Sequence, residues 1–273
     1  MTSSGKTIAA ENERIADAGG YTTPGGDHVA LEAALAAAVR GTVSYAPGDA
    51  VSIAPTGPLR RAAEVTGEGS IAAARRLHDD GGKAVAVLNF ASARNPGGGY
   101  LRGARAQEED LCRSALLYRC LLRAPDYYAA HRESSDLRYS HRVIFSPDVP
   151  VIRNERYELL AEPFPVSFLT SPAPNAGQLA LRSSEPVSVR EVLAERADRV
   201  LAIAARHGVR ELVLGAWGCG VFRNDPTEVA EAFDHALAHY GAAFERAVFA
   251  VWDRSAVSAN RQAFAARFPA TTR

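Results

Sequence analysis

Two kinds of apolar pattern alternate along this chain. One is a short, almost unbroken apolar run: Ala84-Val-Ala-Val-Leu-Asn-Phe90, Glu211-Leu-Val-Leu-Gly215 and Arg246-Ala-Val-Phe-Ala-Val251. Such runs suit strands of a parallel sheet covered on both faces. Val43–Ala46, Val143–Phe145 and Val166–Leu169 are shorter strand candidates. The other pattern has the helical period. It predicts helices over residues 8–18, over Ile71–His78 with Gly81-Gly82 as the stop, and from about Ala106 to Arg123. In the last of these, Leu111, Ala115, Leu116, Leu117, Cys120 and Leu121 supply the apolar face. Asp27 can cap an alanine-rich helix running to about Arg40, after a turn-rich segment from Gly19 to Gly26. Ser188-Val-Arg-Glu191 reads as a capping box opening a helix to about His207. Asp225-Pro226-Thr-Glu228 joins a cap, a proline at the first position and an acid in the first turn. Ala256 to Phe268 forms a last helix, and residues 172–187, rich in Pro, Ser and Asn, a loop. Strands alternating with helices predict an α/β sandwich, in which ligands bind at the C-terminal ends of the strands.

Composition narrows the picture. The chain has 273 residues, 47% of them hydrophobic, and a formal net charge of zero. No global field therefore draws it to nucleic acid or to an anionic membrane, so neither DNA nor a membrane is an expected partner. The cations are almost all arginine, with Lys6 and Lys83 the only lysines. An anionic ligand would have to be held locally, by helix N-termini, backbone N–H nests or a few arginines. Cys112, Cys120 and Cys219 are odd in number, and neither they nor the seven histidines show spacing such as His-Glu-x-x-His. No disulfide framework, metal site or cofactor is indicated, and a reducing cytoplasm is the expected setting. Met1–Lys6 has no apolar core of the signal-peptide kind.

Candidate chemistry concentrates in two loops, each following a buried strand. The first runs Asn95-Pro96-Gly97-Gly98-Gly99, seven residues, then Gln107-Glu108-Glu109. Three glycines can take positive φ and let a ligand approach the main chain, while the proline pins the loop. Glu108 and Glu109 open a helix and project about 100° apart, so they do not form a symmetric pair. One faces a reacting centre and the other a neighbouring hydroxyl. The plain alternative is that acids in a first turn merely complement the helix dipole. The second loop, Gly215-Ala-Trp-Gly-Cys-Gly-Val-Phe222, stands between a buried strand and a well-capped helix, an arrangement that grips phosphates through main-chain N–H groups. It is not a P-loop, since no Lys-Ser or Lys-Thr follows the glycines. Cys219 has no local base and reads as a small loop residue rather than a nucleophile. His131 and His141 flank an arginine-containing stretch expected to be solvated surface.

Gly-Gly-Gly followed at seven residues by Gln-Glu-Glu resembles the signature of the poly(ADP-ribose) glycohydrolases, in their microbial form, and the resemblance extends over most of the chain. It implies a macrodomain-like three-layer α/β/α sandwich with a mixed central sheet and an N-terminal helical extension. Residues 1–80 would then be the extension, packed on a catalytic domain of residues 81–273. It implies cleavage of ribose–ribose O-glycosidic bonds, mainly from the chain terminus, with ADP-ribose released. Glu109 would be the catalytic acid, a role that requires it to hold a proton near neutral pH. Glu108 and Gln107 would bind the ribose hydroxyls, and Asn95 with Gly97, Gly98 and Gly99 the terminal ribose. Gly218, Cys219, Gly220 and Val221 would form the diphosphate loop, with Phe222 against the terminal ribose. Poly(ADP-ribose), ADP-ribose and ADP-ribosylated proteins would be the partners. Two alternatives remain on the same fold: an ADP-ribose reader without activity, for which the Gln-Glu-Glu run is superfluous, and a hydrolase acting on mono-ADP-ribose.

Overall fold

The computed structural model describes residues 4–51, 53–182, 188–255 and 257–270. The elements run α1 (Gly5–Ala18), β1 (Gly20–Thr22), β2 (His28–Ala30), α2 (Glu32–Gly41), β3 (Val43–Tyr45), β4 (Glu64–Thr66), α3 (Ser70–Asp79) and β5 (Val85–Phe90). They continue with α4 (Gln107–Ser114), α5 (Leu117–Leu121), α6 (Pro125–Glu133), β6 (Val143–Arg153), β7 (Leu159–Ser171) and α7 (Ala176–Arg182). Last come α8 (Arg190–Arg206), β8 (Glu211–Leu214), α9 (Pro226–Tyr240), β9 (Arg246–Ala250) and α10 (Ala259–Arg267).

Seven strands form one mixed sheet in the order β3-β6-β7-β5-β8-β9-β4. Strands β7, β5, β8, β9 and β4 pair in parallel, whereas β6 is antiparallel to both β3 and β7. The period-2 alternation of β5 sorts its side chains between two cores. Val85 and Val87 join Ile71, Leu77, Leu111 and Leu121 on one face, while Ala86 and Leu88 join Leu193, Val200, Phe233 and Phe249 on the other. Helices α1–α5 thus cover one side and α8–α10 the other, which makes three layers. Both edge strands, β3 and β4, come from the first 80 residues, so that segment is woven into the sheet as well as laid on it.

Several predicted elements differ from the observed ones. Gly19–Gly26 is not simply a turn: Gly20–Thr22 and His28–Ala30 form a small hairpin. Asp27 closes that hairpin, its N–H donating to Thr23 Oγ1, and the following helix starts only at Glu32. The single helix expected from Ala106 to Arg123 breaks at Ala115. There the backbone becomes extended, Ala115 bridges Val151, and Leu116 N–H donates to Pro150 O. The apolar face was legible, but a strand lying alongside took over two backbone groups that helical periodicity cannot see. Ser188 and Glu191 do not form a capping box. The helix opens at Arg190 behind Val189, and among the described residues Ser188 Oγ accepts only from Arg190 N–H. The loop expected over residues 172–187 contains helix α7, and residues 183–187 lie outside the described residues.

Strands β6 and β7 are far longer than predicted, 11 and 13 residues, because they form one long hairpin with a bulge around Pro147 and Asp148. The intervening Pro147, Pro150, Pro163 and Pro165 hide this hairpin from a sequence reading, since proline is expected to interrupt strands. Among the described residues no helix is long and apolar enough to cross a membrane.

Candidate active site at the ends of strands β5 and β8

The first loop leaves the end of β5 and turns sharply on two consecutive left-handed residues, Gly97 (φ 62°) and Gly98 (φ 58°). Gly98 N–H donates to Asn95 O, and Tyr100 N–H to Gly97 O. This tight turn lays its backbone over the first turn of α4. A Cβ on Gly98 would sit 2.5 Å from Glu109 Oε1 and 3.1 Å from Glu108 Oε2, so only glycine fits there. The two carboxylates, although adjacent in sequence, converge beneath one residue of the glycine loop.

Their surroundings differ. Each Glu108 oxygen accepts one bond: Ser92 N–H donates to Oε2 at 2.7 Å and Asn89 Nδ2 to Oε1 at 3.3 Å. Asn89 is completely buried and also donates to Thr170 Oγ1 across the β5–β7 pair. Burial pushes the Glu108 carboxyl up to about 8, against the opposing pull of its hydrogen bonds, and the neighbouring Glu109 adds to the rise. Glu109 is held on one side only. Its Oε1 accepts from Gly99 N–H at 2.7 Å, while Oε2 is buried without any partner. A buried carboxylate oxygen left unmatched is costly in a folded protein, and it marks the atom available to a ligand.

Gln107 does different work from that expected. Its Oε1 accepts from Phe90 N–H, and its Nε2 donates to Leu88 O and Ser70 Oγ. Strand β8 pairs with β5 only as far as Val87, and the Gln107 amide serves two β5 backbone groups beyond that point. With its polar atoms so committed, it fixes α4 to β5 and α3 and does not offer them to a ribose hydroxyl. Asn95 is exposed, with its backbone closing the glycine turn.

The second loop leaves the end of β8, the parallel neighbour of β5, so both loops open at the same edge of the sheet. Trp217 anchors it, fully buried, with Nε1–H donating to Ser171 O. Gly218 (φ 72°) lies so close to Asn224 and Ala173 that a Cβ would meet them at 2.3 and 2.5 Å. Buried Asn224 ties the loop down, donating through Nδ2 to Pro174 O, while its N–H reaches Gly218 O. Among the described residues, the amides of Gly218, Gly220, Val221 and Phe222 donate to no acceptor within the chain. A Cβ on Gly220 would meet nothing, and Val221 is 85% exposed. Free amides on an exposed loop ahead of the capped N-terminus of α9 can bind an anion. Burial raises the Cys219 thiol to about 12, which removes it as a nucleophile. Phe222 is half-buried, its ring 6.1 Å from that of Tyr139.

Several supporting residues were missed in the sequence. Arg196 is fully buried and donates to Pro172 O, Arg138 O and Tyr139 O, clamping the segment that carries Tyr139. His131 is not solvated: it is 1% exposed, its Nε2 accepting from Ser140 N–H and Nδ1–H donating to Tyr127 O. Burial lowers it to about 4, so it is neutral. Asn12 of α1 is buried and donates to Cys112 O and Arg113 O, carbonyls that the end of α4 leaves open. Tyr100 OH reaches Ala9 O, so α1 also braces the glycine loop. Only Asn89 carried a usable signal, as the one polar residue inside an apolar strand run.

This arrangement has close counterparts. A family model described as microbial-type PARG, catalytic domain, matches residues 9–154. Poly(ADP-ribose) glycohydrolase from Thermomonospora curvata is 47% identical, with 97% of this chain and 99% of that one covered at a TM-score of 0.88. The same enzyme bound to the inhibitor ADP-HPD is similar at 48% identity and the same TM-score of 0.88. Poly(ADP-ribose) glycohydrolase from Deinococcus radiodurans in complex with ADP-ribose is 44% identical over 89% of this chain and all of that one, with a TM-score of 0.80. No curated protein sequence matches. The mixed sheet between helical layers is the macrodomain-like architecture of these enzymes. With the Gly-Gly-Gly and Gln-Glu-Glu elements brought together under one loop, and with similarity over nearly its whole length, this chain belongs to the microbial-type poly(ADP-ribose) glycohydrolases.

Proposed function

We propose that this protein hydrolyses the ribose–ribose O-glycosidic bond of poly(ADP-ribose), working mainly from the chain terminus and releasing ADP-ribose. The observation that carries this reading is Glu109 Oε2, a buried carboxylate oxygen without a partner beneath the glycine loop. Burial raises the neighbouring Glu108 carboxyl to about 8, so that carboxyl carries a proton near neutral pH. Glu109 Oε2 is the oxygen from which that proton can reach a substrate. It passes to the leaving ribose oxygen as the bond to the anomeric carbon breaks, and positive charge builds on that carbon. Water adds there, returning its proton to Glu109. One carboxylate is thus acid and then base, unlike the usual two-carboxylate plan of glycosidases.

The rest of the site positions the substrate. Gly97 to Gly99 let the terminal ribose approach the backbone, with Asn95 at the rim. The free amides of Gly218, Gly220, Val221 and Phe222 hold the diphosphate, and the Phe222 ring packs on the ribose. Glu108, fixed by Ser92 and Asn89, faces a ribose hydroxyl, whereas Gln107 acts through α4. Residues 1–80 serve as an extension that braces the catalytic unit of residues 81–273. The chain has no excess of positive charge to track a long polyanion, which favours engagement of the polymer end. ADP-ribosylated proteins are the implied partners.

The deciding experiment measures ADP-ribose released from purified poly(ADP-ribose) by wild type and Glu109→Gln, with ADP-ribose binding measured on both. Release lost in a variant that still binds supports Glu109 as acid and base. Binding without release by wild type would leave an ADP-ribose reader. Undiminished release by Glu109→Gln would move the role to Glu108.

A further inference from the structure

On the face of the helical layer formed by α8 and α9, Asp198 stands opposite His235 and His239. The two histidines are four residues apart and so share one face of α9. Asp198 Oδ2 lies 3.1 Å from His239 Nδ1 and 3.9 Å from His235 Nε2. One ligand atom from each residue can be chosen so that all three lie within 4.8 Å of one another. The imidazole rings stand edge to face, 4.3 Å between centroids.

A surface ion pair does not account well for this group. In a chain whose cations are mostly arginine, the only ion-pair partners of Asp198 among the described residues are these two imidazoles. Its other oxygen, Oδ1, is buried without a partner. The backbone around the group is fixed, because His239 O accepts from both Thr56 N–H and Gly57 N–H. We propose that Asp198, His235 and His239 form a binding site for a divalent transition-metal ion of the zinc class.

The donor set decides the class of ion. Two imidazole nitrogens and one carboxylate suit Zn²⁺, Co²⁺, Ni²⁺ or Cu²⁺, whereas Mg²⁺ and Ca²⁺ select all-oxygen sets. Bonds of about 2.0–2.1 Å in a tetrahedron place donors roughly 3.3–3.5 Å apart, so the side chains need close only slightly. Both histidines are partly exposed, which permits this movement and leaves a coordination position to water. Asp198 comes from α8 and the histidines from α9, so the ion would clamp one helix to the other. His239 lies 13 residues beyond Pro226, about 20 Å along α9 from the diphosphate loop, so the role is structural. The sequence hid the site because its third ligand is supplied by another helix.

The test uses the untagged full-length protein, stripped with a chelator, and titrates Zn²⁺ by calorimetry and Co²⁺ by visible absorption. Asp198→Asn, His235→Gln and His239→Gln are measured beside it. The expected result is one ion per chain, affinity at least about tenfold weaker in each variant, and no binding of Mg²⁺. Zn²⁺ should also raise the melting temperature of wild type, and this rise should vanish in the variants. ADP-ribose release should be equal in all of them. No Zn²⁺ binding by wild type, or equal binding by the variants, would overturn the proposal.

Discussion

Gly98→Ala tests the geometry of the carboxylate pair more sharply than removal of either acid, because it leaves both in place. Gly98 has φ 58°, where an L-residue costs about 1–2 kcal/mol. Its new Cβ would lie 2.5 Å from Glu109 Oε1, closer than such contacts occur, and the Glu109 side chain must move. That movement strains or breaks the 2.7 Å bond from Gly99 N–H, for which about 1–3 kcal/mol is at stake. Thermal unfolding should report the sum, at about 2–4 °C per kcal/mol for a chain of this size. The catalytic loss should be larger. A displaced general acid costs about 10²–10⁴ in rate, measured as free ADP-ribose released from the polymer at saturation. Gly99→Ala is the control. Its Cβ meets Ala104 Cβ at 2.5 Å but stays 3.5 Å from Glu109 Oε1, and the Gly99 amide remains a donor. It should lose about 1–3 kcal/mol by overpacking and bind ADP-ribose more weakly, while keeping far more of its turnover at saturation. If Gly98→Ala is destabilised as expected yet turns over within tenfold of wild type, the convergence of the two acids beneath Gly98 is not what catalysis depends on.

Four further outcomes follow from the structure. Gly220→Ala meets no protein atom, so its stability should stay within about 0.5 kcal/mol of wild type, while calorimetry should show weaker ADP-ribose binding if a diphosphate lies on that loop. Gly218→Ala should lose both, since its Cβ collides with Asn224 and Ala173. Glu108 is raised in the fold from 4.5 to about 8, so its stabilising contribution is complete below about 4.5 and lost as pH rises through about 8. Urea melts of Glu108→Gln should lack that slope, with a pH-independent offset for the hydrogen bond that an amide cannot accept. His131 is lowered from 6.5 to about 4, so native stability is lost as pH falls through that window, and His131→Gln should remove this acid-side loss in the same assay.

The local signals legible in the sequence are those set by neighbouring residues. The strand run ending at Phe90, the glycines at 97–99 and the Asp225-Pro226 helix start each form where the sequence predicts them. Their order along the chain was enough to predict an α/β sandwich with both loops at the strand ends, because strand and helix periods are short-range properties. What pairs with what is long-range, and only the tertiary structure decided it. The adjacent acids, expected to diverge, meet under Gly98 because the glycine turn folds back over the start of α4. Gln107 became a backbone anchor because β8 ends early and leaves β5 groups to satisfy. The helix from Ala106 broke at Ala115 because β6 offered its backbone other partners. Arg196 was buried because the distant carbonyls of Pro172 and Arg138 were there to receive it, and His131 because the turn after α6 brought Ser140 back onto its ring. A polar side chain's fate depends on which groups the folded chain leaves unsatisfied beside it, and no sequence window contains that information.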